Sequence, residues 1–156
     1  MPKGLNFKLS KRDLGLKSFS KVIQRDLRSR VVAVGVFSSA GADVALRAAV
    51  HEFGSPSRNI PSRSFIRSTL EEKKQDYRAL LRRLFSGLLE ESIHGSPDID
   101  RAFGILGQKV TSDMREKIRS NIPPPLKPAT IARKGSSVAL IDTGRMIQAI
   151  SYKVEK

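Results

Sequence analysis

The stretch Val31-Val32-Ala33-Val34-Gly35-Val36-Phe37 is short, rich in β-branched side chains and apolar at both odd and even positions. That pattern predicts a strand covered on both faces, since a half-exposed strand would alternate polar with apolar. Such a strand needs helices around it, and the flanking sequence supplies them. Upstream, over residues 13–28, Leu16, Phe19, Val22, Ile23 and Leu27 recur at three-and-four spacing opposite a face of Lys and Arg, the signature of an amphipathic helix. Downstream, residues 38–41 read as a turn. Asp43 can cap a short helix through Val44, Leu46, Val50 and His51, and Gly54 ends it as a C-terminal glycine commonly does.

Residues 55–61 hold two prolines, two serines, an arginine and an asparagine, which predicts an irregular exposed loop with little reason to pack on its own core. Residues 64–93 then read as helix, because Ile66, Leu70, Tyr77, Leu81, Leu84 and Leu88 repeat at helical spacing between charged faces. At full length that helix spans about 45 Å, with Gly87 as a point where it can break. Gly95-Ser96-Pro97-Asp98 is a turn with a helix start, and Ile99, Phe103, Leu106, Val110, Met114 and Ile118 stripe a second long helix, so the two form a hairpin. Ile122-Pro123-Pro124-Pro125-Leu126-Lys127-Pro128 runs extended, because proline lacks the amide donor and clashes with a preceding helical turn. A loop over 132–137 follows, then one helical turn over 143–148 capped by Asp142 or Thr143, and a last strand over 150–154. The expected fold is α+β: a small β-sheet packed against two long antiparallel helices, with extended loops. Residues 1–30 form a basic N-terminal helical segment, and 31–156 a single α+β domain.

At 156 residues the chain can bury a core without metal or disulfide. The absence of cysteine excludes structural disulfides, cysteine-ligated zinc and a thiol nucleophile. Residues 4–30 lack the uninterrupted apolar stretch of a signal peptide, and no run reaches membrane-spanning length, so the expectation is a protein that stays in the cell that makes it, with no membrane partner. The formal net charge of +14 should attract polyanions in a salt-dependent way. About half of that excess lies before Val31, and the remainder is spread over 58–83 and 115–134. A solvated basic surface is the plain alternative to one facing DNA or an acidic protein.

Ala139-Leu140-Ile141-Asp142-Thr143-Gly144 looks like the Asp-Thr-Gly signature of aspartic proteases, in which two aspartates share a proton and activate water. Most of a retroviral-type protease would have to follow that triplet, and only twelve residues follow Gly144. His51 and His94 sit in no metal or triad spacing, and each reads as an ordinary structural or surface residue; His51-Glu52 has Ser55 where a zinc helix needs its second histidine. No Gly-Lys-Ser/Thr phosphate loop occurs, and the carboxylates sit mostly beside Arg or Lys, as solvated ion pairs do. No catalytic set emerges, and the expectation is a non-enzyme without cofactor or metal. Aromatic residues are too few, and zinc-finger spacing is absent, for a sequence-reading nucleic-acid module. Non-specific contact with double-stranded DNA or an acidic partner remains open, with Lys11, Arg12, Lys17 and Lys21 as its candidate residues.

The order of segments resembles a known family. Val34-Gly35-Val36, then Ala48-Ala49-Val50-His51-Glu52-Phe53-Gly54, then Ile60-Pro61-Ser62-Arg63-Ser64-Phe65-Ile66 look like the front half of the virion-morphogenesis and tail-completion proteins of tailed bacteriophages. Pro125-Leu126-Lys127-Pro128-Ala129-Thr130-Ile131 and Leu140-Ile141-Asp142-Thr143-Gly144-Arg145-Met146-Ile147-Gln148-Ala149-Ile150-Ser151 resemble its back half. The resemblance covers residues 31–152; it departs at Ser62 and Ser64, where alanine and proline are commoner, and in the basic first thirty residues, which the family does not fix. It implies a structural subunit of a neck or tail-completion ring, a homo-oligomer with six-fold order by analogy to tail symmetry. Its partners would be connector, neck and tail proteins, and its place the head-tail junction of the virion after assembly in the host cytoplasm. The loops would then be the oligomer contacts: Phe53, Gly54, Arg58, Ile60, Pro61 and Arg63 in the first, and Pro124, Pro125, Leu126 and Lys127 in the second. Tail terminator and head-side neck component are equally compatible with these motifs. The alternative reading is a basic, non-sequence-specific DNA-binding module.

Overall fold

The computed structural model describes residues 30–94 and 97–156. Among them the chain is mixed α+β and mostly helical. Strand β1 (Val31–Val36) is followed by helices α1 (Ala42–Phe53), α2 (Ile66–Glu72), α3 (Lys74–His94), α4 (Ile99–Arg119), α5 (Pro128–Lys134) and α6 (Arg145–Ala149), and strand β2 (Ile150–Glu155) closes the chain. The two strands pair antiparallel, Val36 opposite Ile150, Val34 opposite Tyr152 and Val31 opposite Glu155, so the sheet joins the two ends of the described fold.

Helix α4 packs across the sheet. A Cβ at Gly107 would collide with the ring of Tyr152, so the absence of a side chain there lets the helix and β2 approach. Helices α2 and α3 run antiparallel to α4, tied by Lys117 Nζ to Glu72 at 2.6 Å, by Tyr77 Oη donating to Asp113 at 3.1 Å, and by Arg101 to Glu91 near the turn. Burial, then the hydrogen bond to Asp113, pushes the Tyr77 phenol above its ordinary range and keeps it a donor. Phe65, Met114, Ile118 and Ile150 are fully buried where α2, α4 and β2 meet, each such burial stabilising by about 1.5–3 kcal/mol. A smaller cluster of Leu88, Ile99 and Ala102 closes the far end of the helical hairpin.

Several expectations need correction. The β1 strand is covered on one face only: Val34 and Val36 pack against the core, while Val31 is 61% exposed, because the sheet has only two strands and α4 covers a single side. The long helix expected over 64–93 is two helices, divided at Lys73, and Gly87 lies unbroken within α3. Residues 132–134, expected as loop, complete α5, and Gly135 closes it in the left-handed region at φ +70°. Asp43 does not cap α1, whose N-cap is Gly41; its carboxylate instead takes Arg47 and Arg145, at 3.1 and 3.5 Å. Neither Asp142 nor Thr143 caps α6, whose first turn is closed by the carbonyl of Gly144 accepting from the Gln148 amide. By contrast Asp98 does cap α4, accepting from the Arg101 amide at 2.9 Å, and Gly54 closes α1 with its amide on the Val50 carbonyl. The helix expected over 13–28, with Lys11, Arg12, Lys17 and Lys21, lies outside the described residues.

Candidate functional site

The end of α1 organises everything that follows it. Glu52 is only 5% exposed, and its carboxylate accepts from Ser64 Oγ at 2.6 Å and from the amides of Phe65, Ile66 and Arg67 at 2.9 to 3.0 Å. A carboxylate therefore sits on the free amides that begin α2, the place where negative charge and helix dipole complement one another. Ser62 Oγ donates to the Glu52 carbonyl, and the Arg63 amide to that of His51. Gly54 permits this return of the chain: at φ +80°, a Cβ there would stand 2.9 Å from the Ser62 nitrogen.

Residues 55–60 leave the body as a small excursion. It is closed at its neck by paired amide and carbonyl groups of Ser55 and Ile60, and turned by a 3₁₀ segment at Pro56–Arg58 with Asn59 in the left-handed region. Immediately after it, Arg63 is buried, and its guanidinium donates twice to the Pro124 carbonyl, at 3.0 and 2.7 Å. One side chain thus fastens the proline-rich segment 123–127 to the excursion. Downstream, Asn121 Oδ1 accepts from the Ala139 amide, and Lys134 Nζ donates to the Val138 and Ala139 carbonyls, which sets the loop leading to Asp142.

These fastenings enclose an open groove of about 910 Å³. Arg58, Ile60 and Pro61 form one wall, Pro124, Pro125, Leu126 and Lys127 another, and Asp142, Arg145 and Met146 a third. Seven cationic side chains line it, Arg47, Arg58, Arg63, Lys127, Arg133, Lys134 and Arg145, against one carboxylate, Asp142. His51 lies at its edge with a buried Nδ1 that has no hydrogen-bond partner. Burial first, and then the positive charges of Arg63 and Lys134, lower the His51 pKa. Burial likewise lowers that of Lys134, which Asp142 raises and Arg63 lowers further.

Eight of the ten residues named for partner contact in the two loops therefore line one groove, and Arg63 also serves within the chain by holding its walls together. Gly54 is packed against the returning backbone, and Phe53, 76% exposed, faces a second recess of about 750 Å³ lined by apolar residues that include Ala49, Ile66, Leu70 and Leu81. Comparison with protein-family models, with curated proteins and with solved structures gives no match. Sequence reasoning missed Arg47, Arg133, Lys134 and Arg145 as groove residues, because each stands on a short element and only tertiary packing gathers them. The unpartnered nitrogen of His51 likewise has no signature in the sequence. Asp142 and Thr143, the triplet that suggested a protease, are exposed at the groove's lip. No cluster of three or more metal-binding side chains occurs among the described residues, and no described helix is long and apolar enough to cross a membrane.

Proposed function

We propose that this chain is a non-enzymatic structural subunit of the ring that joins head to tail in a tailed bacteriophage, completing the tail or closing the connector while leaving a passage for DNA. The observation that carries this reading is the convergence of two segments 61 residues apart, joined by Arg63 on the Pro124 carbonyl, into one open groove on the α+β body. The motifs that resemble tail-completion proteins supply the same segments, and their geometry fits docking on neighbours: anchored at Glu52 and Arg63, exposed between. The net charge of +14 favours a second reading, a basic module that holds DNA without regard to sequence.

The test replaces residues 55–59 by a glycine-serine linker. The anchors at Glu52, Arg63 and Phe65 remain, so the isolated subunit should keep its thermal transition within about 3 °C, a change of roughly 1 kcal/mol in a chain this long. Particles assembled with the variant should accumulate as separate heads and tails. Normal joining and infectivity, or absence of the wild-type protein from the junction in a density map of the virion, count against the ring.

A further inference from the structure

The unbalanced charge of the groove points to a ligand that the chain itself does not supply. Arg47 and Arg145 share Asp43, but Arg63 and Lys134 direct their hydrogen bonds to neutral carbonyls, and Arg58, Lys127 and Arg133 pair with no carboxylate among the described residues. Arg63 and Lys134 are close enough to repel one another, and Arg58, Lys127 and Arg133 lack an anion that an incoming partner could provide. Between them lie apolar surfaces, Ile60, Pro125 and Leu126, which hydrated phosphates would not use. The recess, about 910 Å³, has room for a short stretch of a single extended chain.

We infer that the groove binds an extended acidic polypeptide segment with interspersed apolar residues, contributed by a different protein. Its carboxylates meet Arg58, Lys127 and Arg133, and its apolar side chains rest on Ile60, Pro125 and Leu126. A second copy of this chain is disfavoured as the occupant by its net charge of +14, which would bring further positive charge to the groove. Identification of the partner as a neighbour in the head-tail junction rests on the proposed function; the chemistry of the groove does not. In a ring, this assigns the groove to contact with the next layer and leaves other surfaces for contacts between copies.

The full chain can be titrated, with fluorescence anisotropy as readout, against a short labelled peptide alternating Asp and Leu, its Asn-for-Asp counterpart, and a labelled DNA duplex. Two variants carry the same change in net charge: Arg58→Glu with Lys127→Glu and Arg133→Glu in the groove, and Arg82→Glu with Arg83→Glu and Arg119→Glu elsewhere. All six side chains are exposed, so both variants should fold, as circular dichroism will check. The acidic peptide should bind wild type, lose about tenfold or more in affinity to the groove variant and about threefold or less to the control. The Asn peptide should bind weakly. Equal losses in both variants, equal binding of the Asn peptide, or a groove variant that loses duplex binding but keeps the peptide overturns the inference. A failure to bind peptide in a protein that is found at the virion junction refutes the groove assignment alone. Peptide binding by a protein absent from the virion refutes the ring alone.

Discussion

A carboxylate buried at the end of a helix destabilises a fold unless donors surround it. Glu52 meets that condition with Ser64 Oγ and three consecutive amides, and in doing so fixes where α2 begins. Glu52→Gln keeps the shape but turns an amide donor toward those donors. We expect it to lose about 3 kcal/mol in urea unfolding, or roughly 10 °C in a thermal melt of a chain this size; an unchanged midpoint would mean that the amides find other acceptors. Sequence reading did not find this pairing, because caps are sought within a few positions of the helix they serve, and Glu52 lies 13 residues before Phe65. Gly54 was legible as a helix stop, since its role is local. Next to Glu52, His51 has a pKa lowered below its ordinary 6.5 by burial and by Arg63 and Lys134. In the window just below that value the unfolded chain binds a proton that the folded chain refuses, so stability rises with pH through the window and levels off above it. Thermal melts of wild type and His51→Gln between about pH 5 and 7 should therefore converge toward acid and separate toward neutrality, the wild type gaining more. Parallel curves would remove His51 as the source.

At the scale of elements, hydrophobic periodicity located the helical hairpin and the final strand, because those features depend on neighbours three, four or two positions apart. The division at Lys73 was invisible for the same reason: the apolar spacing runs through it from Ile66 to Leu84 with no proline or glycine to mark the break. Two-sided burial of β1 failed as an expectation because coverage depends on how many strands and helices surround it, and α4 covers one face. The seam between α4 and β2 gives a paired test. An added methyl at Gly107 collides with Tyr152, whereas at Gly104 it would lie 3.5 Å from Tyr152 Oη, an ordinary contact. Gly107→Ala should lose about 1–3 kcal/mol through overpacking. Gly104→Ala should be neutral or gain up to about 1 kcal/mol from better helix propensity. The two differ only in what the sheet presents to the helix, so similar denaturation midpoints would mean that Tyr152 moves aside freely.

For the molecule as a whole, composition revealed the excess of positive charge but not its distribution in space. The two loops were legible as exposed, irregular segments from proline, glycine and the scarcity of aliphatic residues; their union was not, since it depends on one buried guanidinium reaching a carbonyl 61 positions away. The charge therefore has two addresses, the groove and the N-terminal thirty residues, and they make different demands. A groove that admits a peptide is selective, whereas Lys11, Arg12, Lys17 and Lys21 belong to a segment whose net charge is about half of the +14. If that segment faces DNA in the lumen of a ring, retention on duplex DNA should not depend on sequence and should fall steeply between low and physiological salt, as counterion release requires. Neutralising the four lysine and arginine residues together should reduce the slope of log affinity against log salt by up to about 3.6, at roughly 0.9 for each phosphate that they neutralise. Arg58→Glu with Lys127→Glu and Arg133→Glu should change that slope far less, because on this reading the duplex meets the N-terminal segment and the groove holds a peptide. Retention that ignores both salt and the four neutralisations would place the N-terminal charge against an acidic protein neighbour, and a slope set mainly by the groove residues would make the groove itself the surface that meets DNA.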